Sequence, residues 1–229
     1  MEAWIDHPNI TSVLLANLPG QESGNSLVSV LWGSVNPSGK LPYTIARREV
    51  DYCCRVQSAW TGFAPVQEFP EGGLIDYMWF EKKGKDPRFP FGFGLSYTQF
   101  APVAGSLQVP FVAANVSGAG FHEEIVKLTF KVRNAGAIFG KVVVQLYVRF
   151  PSSVSNLPES PVKVLRGFDK VGLAPGEVGE LEFSLRRRDL SWWDVVTQEW
   201  KVVLAEEYRF YVGESVNQIW SEAVLSFPQ

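Results

Sequence analysis

Val126-Lys127-Leu128-Thr129-Phe130-Lys131-Val132 places an apolar side chain at every second position and a polar one between. That period matches a strand with one face in a core and one in water. Ile125 extends the run on its N-terminal side. The same grammar returns in Val142-Val143-Val144-Gln145-Leu146-Tyr147-Val148, Leu181-Glu182-Phe183-Ser184-Leu185, Tyr208-Arg209-Phe210-Tyr211-Val212 and Ile219-Trp220 to Phe227. Turn chemistry separates them, as in Asn134-Ala135-Gly136 and Ala174-Pro175-Gly176-Glu177. About seven short strands in about 120 residues predict a β-sandwich of immunoglobulin-like type from roughly residue 105 to 229.

Upstream the grammar changes. Ile10-Thr11-Ser12-Val13-Leu14-Leu15-Ala16-Asn17 is a nearly continuous apolar run, expected of a strand buried on both faces. Pro19-Gly20 turns the chain, and Leu27, Val30 and Leu31 before Gly33 space as one helical stripe. After Asn36-Pro37-Ser38-Gly39-Lys40, Leu41 to Ile45 is expected to return as a second short strand. Residues 1–46 thus predict one β-α-β unit, too small to be stable alone. Residues 47–104 hold no sustained period. They are rich in Gly, Pro and aromatic residues, too apolar for a solvated linker, and are expected to pack between the two halves.

Composition excludes several classes. The net charge of -3 and the lack of clustered cations beyond Arg186-Arg187-Arg188 exclude a nucleic-acid partner. No apolar run reaches the roughly 20 residues that cross a bilayer, so no membrane partner is expected. Cys53 and Cys54 are adjacent, where a disulfide is strained, and only His7 and His122 could assist them with a metal. Free thiols, no metal and no cofactor are expected. No basic, apolar leader precedes residue 10; Met1 as a natural start predicts a cytoplasmic chain, whereas a cut from a longer protein leaves a secreted parent open.

Leu18-Pro19-Gly20-Gln21-Glu22-Ser23-Gly24-Asn25-Ser26-Leu27-Val28 with Gly33 to Pro42 resembles the closing segment of the α/β-sandwich domain in glycoside hydrolase family three. Phe89-Pro90-Phe91-Gly92-Phe93-Gly94-Leu95-Ser96-Tyr97-Thr98-Gln99-Phe100 resembles that family's lead into its C-terminal domain. Gln145 to Val148, Leu165 to Val171 and Arg188-Asp189-Leu190-Ser191-Trp192-Trp193-Asp194 resemble its fibronectin type III-like domain, as in fungal β-glucosidases. The resemblance implies an α+β, mostly β fold: a remnant β-α-β unit of an α/β sandwich, then an immunoglobulin/fibronectin type III-like β-sandwich. It also implies that the nucleophilic Asp and the acid/base Glu of the retaining reaction fall outside these residues, so no catalytic residue is carried over. The family's loop disulfide is not expected here, and the sequons Asn9-Ile10-Thr11 and Asn115-Val116-Ser117 read as relics of a secreted ancestor.

Several residues suggest chemistry but read better as structure. Glu22 suits a helix N-terminus. Ser23 lacks the Gly-x-Ser-x-Gly spacing of a nucleophile. His7 and His122 read as surface or capping residues, and Trp192-Trp193-Asp194 as packing rather than a sugar platform. The irregular segment gathers Trp60, Phe63, Glu68, Glu71, Asp76, Tyr77, Trp79 and Phe80. Trp60, Phe63, Glu68, Asp76, Tyr77 and Trp79 are the expected small-molecule site, an aromatic concavity rimmed by acids. Three functions follow as expectations. One is a non-hydrolytic, truncated β-glucosidase-like protein with a binding or structural role. Another is a repurposed enzyme, such as a cyclase of secondary metabolism, working through Glu68 or Asp76. The third is a subunit completing a glycoside hydrolase supplied by another chain. The resemblance implies that the family's N-terminal barrel domain lies outside these residues, and the face left by that barrel is expected to drive self-association or to bind a protein partner.

Overall fold

The computed structural model describes residues 3–54 and 66–228. Strands run in the order β1 (Phe100–Pro102), β2 (Gln108–Val112), β3 (Glu124–Asn134), β4 (Gly140–Arg149) and β5 (Val164–Leu173). They continue with β6 (Val178–Arg186), β7 (Ser191–Asp194), β8 (Glu199–Val202), β9 (Glu207–Gly213) and β10 (Ile219–Ser226). One four-stranded sheet pairs β3 with β6 on one side and with β1 and β2 on the other; the second has the order β10-β9-β4-β5. All these pairings are antiparallel, and β7 and β8 form a separate hairpin. The expected sandwich is present, and every strand read from the alternation lies in it.

Register explains the core. In the first sheet Val126 lies opposite Leu185, Leu128 opposite Phe183 and Phe130 opposite Leu181. In the second, Leu146 faces Val212 and Val148 faces Phe210. These side chains are buried together between the sheets. Each is worth about 1.5–3 kcal/mol relative to exposure, enough to fix a register in which a one-residue slip would turn the whole set outward. Asn134 closes β3 as a buried polar knot. Its Nδ2 donates to Ile138 O at 2.8 Å and Leu173 O at 2.9 Å, while Oδ1 accepts from Thr98 Oγ1 at 2.8 Å and Gly136 N at 3.0 Å. With all four bonds made, its burial carries no unpaired polar group.

From Gln145 to Val148 both faces of β4 are buried. Leu146 and Val148 enter the sandwich, whereas Tyr147 packs outward with Tyr77, Phe91, Leu165 and Val216. The irregular segment therefore covers the outer face of the second sheet. Gly92 allows the close approach. Its φ is +78°, and a Cβ there would lie 2.2 Å from Gln145 Oε1. Gln145 Nε2 donates instead to Gly92 O at 3.1 Å and Glu214 O at 2.7 Å.

Two expectations upstream are corrected. Ile10 to Asn17 forms no strand: it is irregular and largely exposed, because no neighbour among the described residues supplies a ladder on either side. Leu41 to Ile45 does not pair with it either. Leu41 N donates to Phe93 O and Ile45 N to Phe89 O, both at 2.8 Å, so this stretch joins the irregular segment. Pro42 and Pro90 lack amide donors, and the pairing shrinks to one bridge between Ile45 and Phe89. The helix between them is present as α1 (Ser23–Leu31), but it buries no residue.

Candidate functional site

A six-residue helix, α2 (Tyr77–Lys82), carries two of the expected site residues, Tyr77 and Trp79, and a third, Asp76, caps it. Asp76 precedes it at φ +54°, ψ −123°, a conformation unusual outside glycine. Its carboxylate holds that geometry by accepting from Tyr77 N at 2.6 Å, Thr44 N at 2.8 Å and Thr44 Oγ1 at 2.7 Å. Tyr77 is buried, its ring 4.7 Å from Phe91 and edge-on to Tyr147 at 6.0 Å. Its hydroxyl accepts from Leu165 N at 2.9 Å, and burial raises its pKa. Trp79 turns the other way, its indole N–H donating to Asp51 O at 3.2 Å beneath the ammonium groups of Lys83 and Lys85. Glu68 is exposed on the preceding loop. Trp60 and Phe63 lie outside the described residues. Tyr77 and Trp79 thus share one helix that Asp76 caps, and each of the three is engaged with a different neighbour.

Of the described candidates, Tyr77 lines a cleft of ≈ 200 Å³ together with Thr44, Phe80, Glu81, Asp86 and Asn217. Glu81 was missed by sequence reasoning, although its position four residues after Tyr77 puts it on the same helix face. It pairs with Lys163, and both side chains are nearly buried. Its Oε2 is buried with no hydrogen-bond partner among the described residues, and burial raises its carboxyl pKa, with Lys163 opposing that shift. Asp86 pairs with Arg47 at 2.9 Å. A second cleft of ≈ 410 Å³ holds Lys40, whose Nζ donates to Gly94 O at 2.9 Å and lies 3.5 Å from Glu214. Burial lowers the Lys40 pKa, and Glu214 counters it.

The two cysteines are not isolated. Cys54 Sγ donates to Glu71 Oε2 at 3.0 Å and Cys53 Sγ to the same oxygen at 3.5 Å. The hydrogen bond to Glu71, then the neighbouring thiol, push the Cys54 pKa up to about 12. That bond holds the Glu71 carboxyl below its ordinary value. No disulfide joins the pair.

Apolar surface gathers elsewhere. Leu14, Leu15, Leu27, Val28 and Leu31 are exposed, and Leu18 and Trp32 are 98% and 78% exposed. On the sandwich, Trp192 packs against the core as expected, whereas its neighbour Trp193 is exposed and meets Trp200 across the hairpin at 5.5 Å. No helix among the described residues is long and apolar enough to cross a membrane.

Residues 1–97 match the glycosyl hydrolase family 3 C-terminal domain, and residues 142–216 match the fibronectin type III-like domain. The chain is 43% identical over 226 residues to "Probable beta-glucosidase L" of Aspergillus terreus, covering 96% of this chain and 30% of that protein. It is 46% identical over 223 residues to "Beta-glucosidase cel3A" of Pyricularia oryzae, covering 94% and 30% respectively. Among solved structures, the β-D-glucoside glucohydrolase from Trichoderma reesei superposes with a TM-score of 0.80 at 41% identity, over 92% of this chain and 29% of that one. A Chaetomium thermophilum β-glucosidase superposes with a TM-score of 0.84 at 28% identity, over 98% and 36%. The chain therefore spans about 30% of the curated relatives it matches. With the end of the family's C-terminal domain leading into a fibronectin type III-like sandwich, it belongs to glycoside hydrolase family three and corresponds to the C-terminal part of the fungal β-glucosidases.

Proposed function

We propose that these 229 residues are a binding and structural unit of a β-glucosidase-like protein and do not hydrolyse glycosides by themselves. The observation that carries this reading is the state of the acids in the Tyr77 cleft. Retaining hydrolysis needs two carboxyl groups about 5–5.5 Å apart, one as nucleophile and one as acid/base. The cleft's two acids, Glu81 and Asp86, are instead paired with Lys163 and Arg47. The exposed apolar side chains within residues 14–32 support the binding role, because apolar surface left in water favours association. Their occupant is a second copy of the chain or a protein partner. The purified chain is expected to release no p-nitrophenol from an aryl β-glucoside above an enzyme-free control. Release that a glucosidase inhibitor abolishes would overturn the proposal.

One observation favours a second reading, a small-molecule site of altered chemistry. Glu81 lines the cleft with Tyr77 and offers a carboxyl with a raised pKa whose buried Oε2 has no hydrogen-bond partner among the described residues, the environment of a general acid. A small acid-requiring reaction such as a cyclisation suits that group better than the expected Glu68 or Asp76. A thermal-shift screen tests it: a ligand that stabilises the wild type and loses its effect on Glu81→Gln carries this reading. A ligand unaffected by Glu81→Gln counts against it.

A further inference from the structure

We propose that Cys53, Cys54 and Glu71 form a site for one zinc ion, held by two thiolates and one carboxylate oxygen with the fourth position open. The two thiols and the carboxylate come from separate parts of the chain, and their ligand atoms all lie within 4.8 Å of one another. Both thiols already point at a single oxygen, at 3.0 and 3.5 Å. A tetrahedral zinc ion with Zn–S near 2.3 Å and Zn–O near 2.1 Å requires S···O separations of about 3.6 Å and an S···S separation of about 3.8 Å. Small movements of three side chains reach that arrangement. A disulfide between these neighbours would instead have to bring the sulfurs to about 2.05 Å, with strain in the backbone between them.

Both limbs of the site are anchored just outside it. Before the cysteines, Tyr52 donates its hydroxyl to Thr44 O at 3.2 Å and accepts from Ala46 N at 3.0 Å. Asp51 O accepts from Trp79 Nε1 and, at 2.8 Å, from Lys85 Nζ. After Glu71, Leu74 is buried, and its N–H donates to Glu71 O at 3.0 Å. Ligands fixed in this way lose less freedom on binding than ligands on a loose loop. The donor set also selects the metal. Two soft sulfurs disfavour magnesium and calcium, which take oxygen shells, and suit zinc, which accepts thiolate and carboxylate together.

The proton balance is simple. Zinc enters, two S–H bonds break, the sulfur electron pairs form two Zn–S bonds, and two protons leave to the buffer. One carboxylate with two neutral thiols carries a charge of about −1, and so does one Zn²⁺ with two thiolates and a carboxylate. The ion replaces the protons that now bridge the sulfurs to Glu71. No oxidant or reductant is involved.

The test uses the whole chain, reduced and stripped of metal. Titration with Co²⁺ is expected to give a thiolate-to-cobalt charge-transfer band that saturates at one ion per chain and bleaches when Zn²⁺ is added. Cys53→Ser and Cys54→Ser should each lose the band. Glu71→Gln should melt like the wild type without metal and yet bind zinc at least ~10-fold more weakly, the scale set by losing even an indirect metal partner. While the thiols stay protonated, the apparent affinity should rise about 100-fold per pH unit, because two protons are displaced. Zinc should also protect both cysteines of the wild type from alkylation, a readout that needs no variant. Absence of the charge-transfer band, unprotected cysteines, or a Glu71→Gln affinity equal to wild type would each overturn the site.

Discussion

Lys163→Met is expected to destabilise the chain by about 3–5 kcal/mol in denaturant unfolding, the cost of leaving one partner of a buried pair uncompensated. The two side chains of the pair are 11% (Lys163) and 15% (Glu81) exposed. Glu81 Oε2 has no hydrogen bond of its own among the described residues, so water and neighbours do little to replace the ammonium. The double change Lys163→Met with Glu81→Leu should recover most of the loss, because a buried pair exchanged for apolar groups of similar volume is often neutral or better. The pH dependence has a definite sign. Burial raises the Glu81 pKa above its unfolded value, so the folded state holds that proton more tightly. The resulting contribution is fully present below the unfolded pKa, about 4.3, and is lost as pH rises through the folded pKa. Without Lys163 to oppose the shift, Lys163→Met should therefore regain stability on acidification more steeply than wild type does. Equal stability of Lys163→Met and wild type at pH 7 would mean that the pair is solvated, and would remove Glu81 as the buried acid of the second reading.

The sandwich was legible because each of its strands solves a local problem. Leu128, Phe130 and Val132 face one way whatever they pack against, and a period of two says so in one strand alone. The segment before it failed that test for a physical reason. Ile10 to Asn17 has the apolarity of a buried strand, but burial on both faces is a property of neighbours, and no described neighbour pairs with it. Leu41 to Ile45 reads as a strand of the same unit because it is short and apolar; its bonding partners, Phe89 and Phe93, lie far along the chain, in a stretch where Pro90 limits pairing. The site shows the same division. Tyr77 and Asp76 stood out by residue type, yet their roles are set by Leu165 and Thr44. In the sequence Glu71 is one acid among several, and only the fold places it against Cys53 and Cys54.

Tyr77→Ala is expected to cost about 3–5 kcal/mol, the range for removing a buried aromatic ring. The loss should fall unevenly along the chain. Tyr77 does not enter the core between the sheets; it joins α2 to the outer face of β4 and β5 through Phe91, Tyr147 and the Leu165 amide. Hydrogen exchange should therefore accelerate first at Leu165 and across residues 74–94, while β3 and β6 keep the protection that their own register gives them. Tyr77→Phe separates ring from hydroxyl: it keeps the packing, leaves the Leu165 amide without its acceptor, and should cost about 1–3 kcal/mol. Equal loss of protection in β3 and β6 would show that the segment and the sandwich open as one unit, and the picture of an outer strap would be wrong. The functional consequence follows from what the strap builds. Tyr77, Phe80 and Glu81 line the cleft from one helix, and Thr44 is tied to that helix by Asp76. A ligand that needs this cleft must lose its site in Tyr77→Ala, whereas a partner that docks on Leu18 and Trp32 has no contact there to lose.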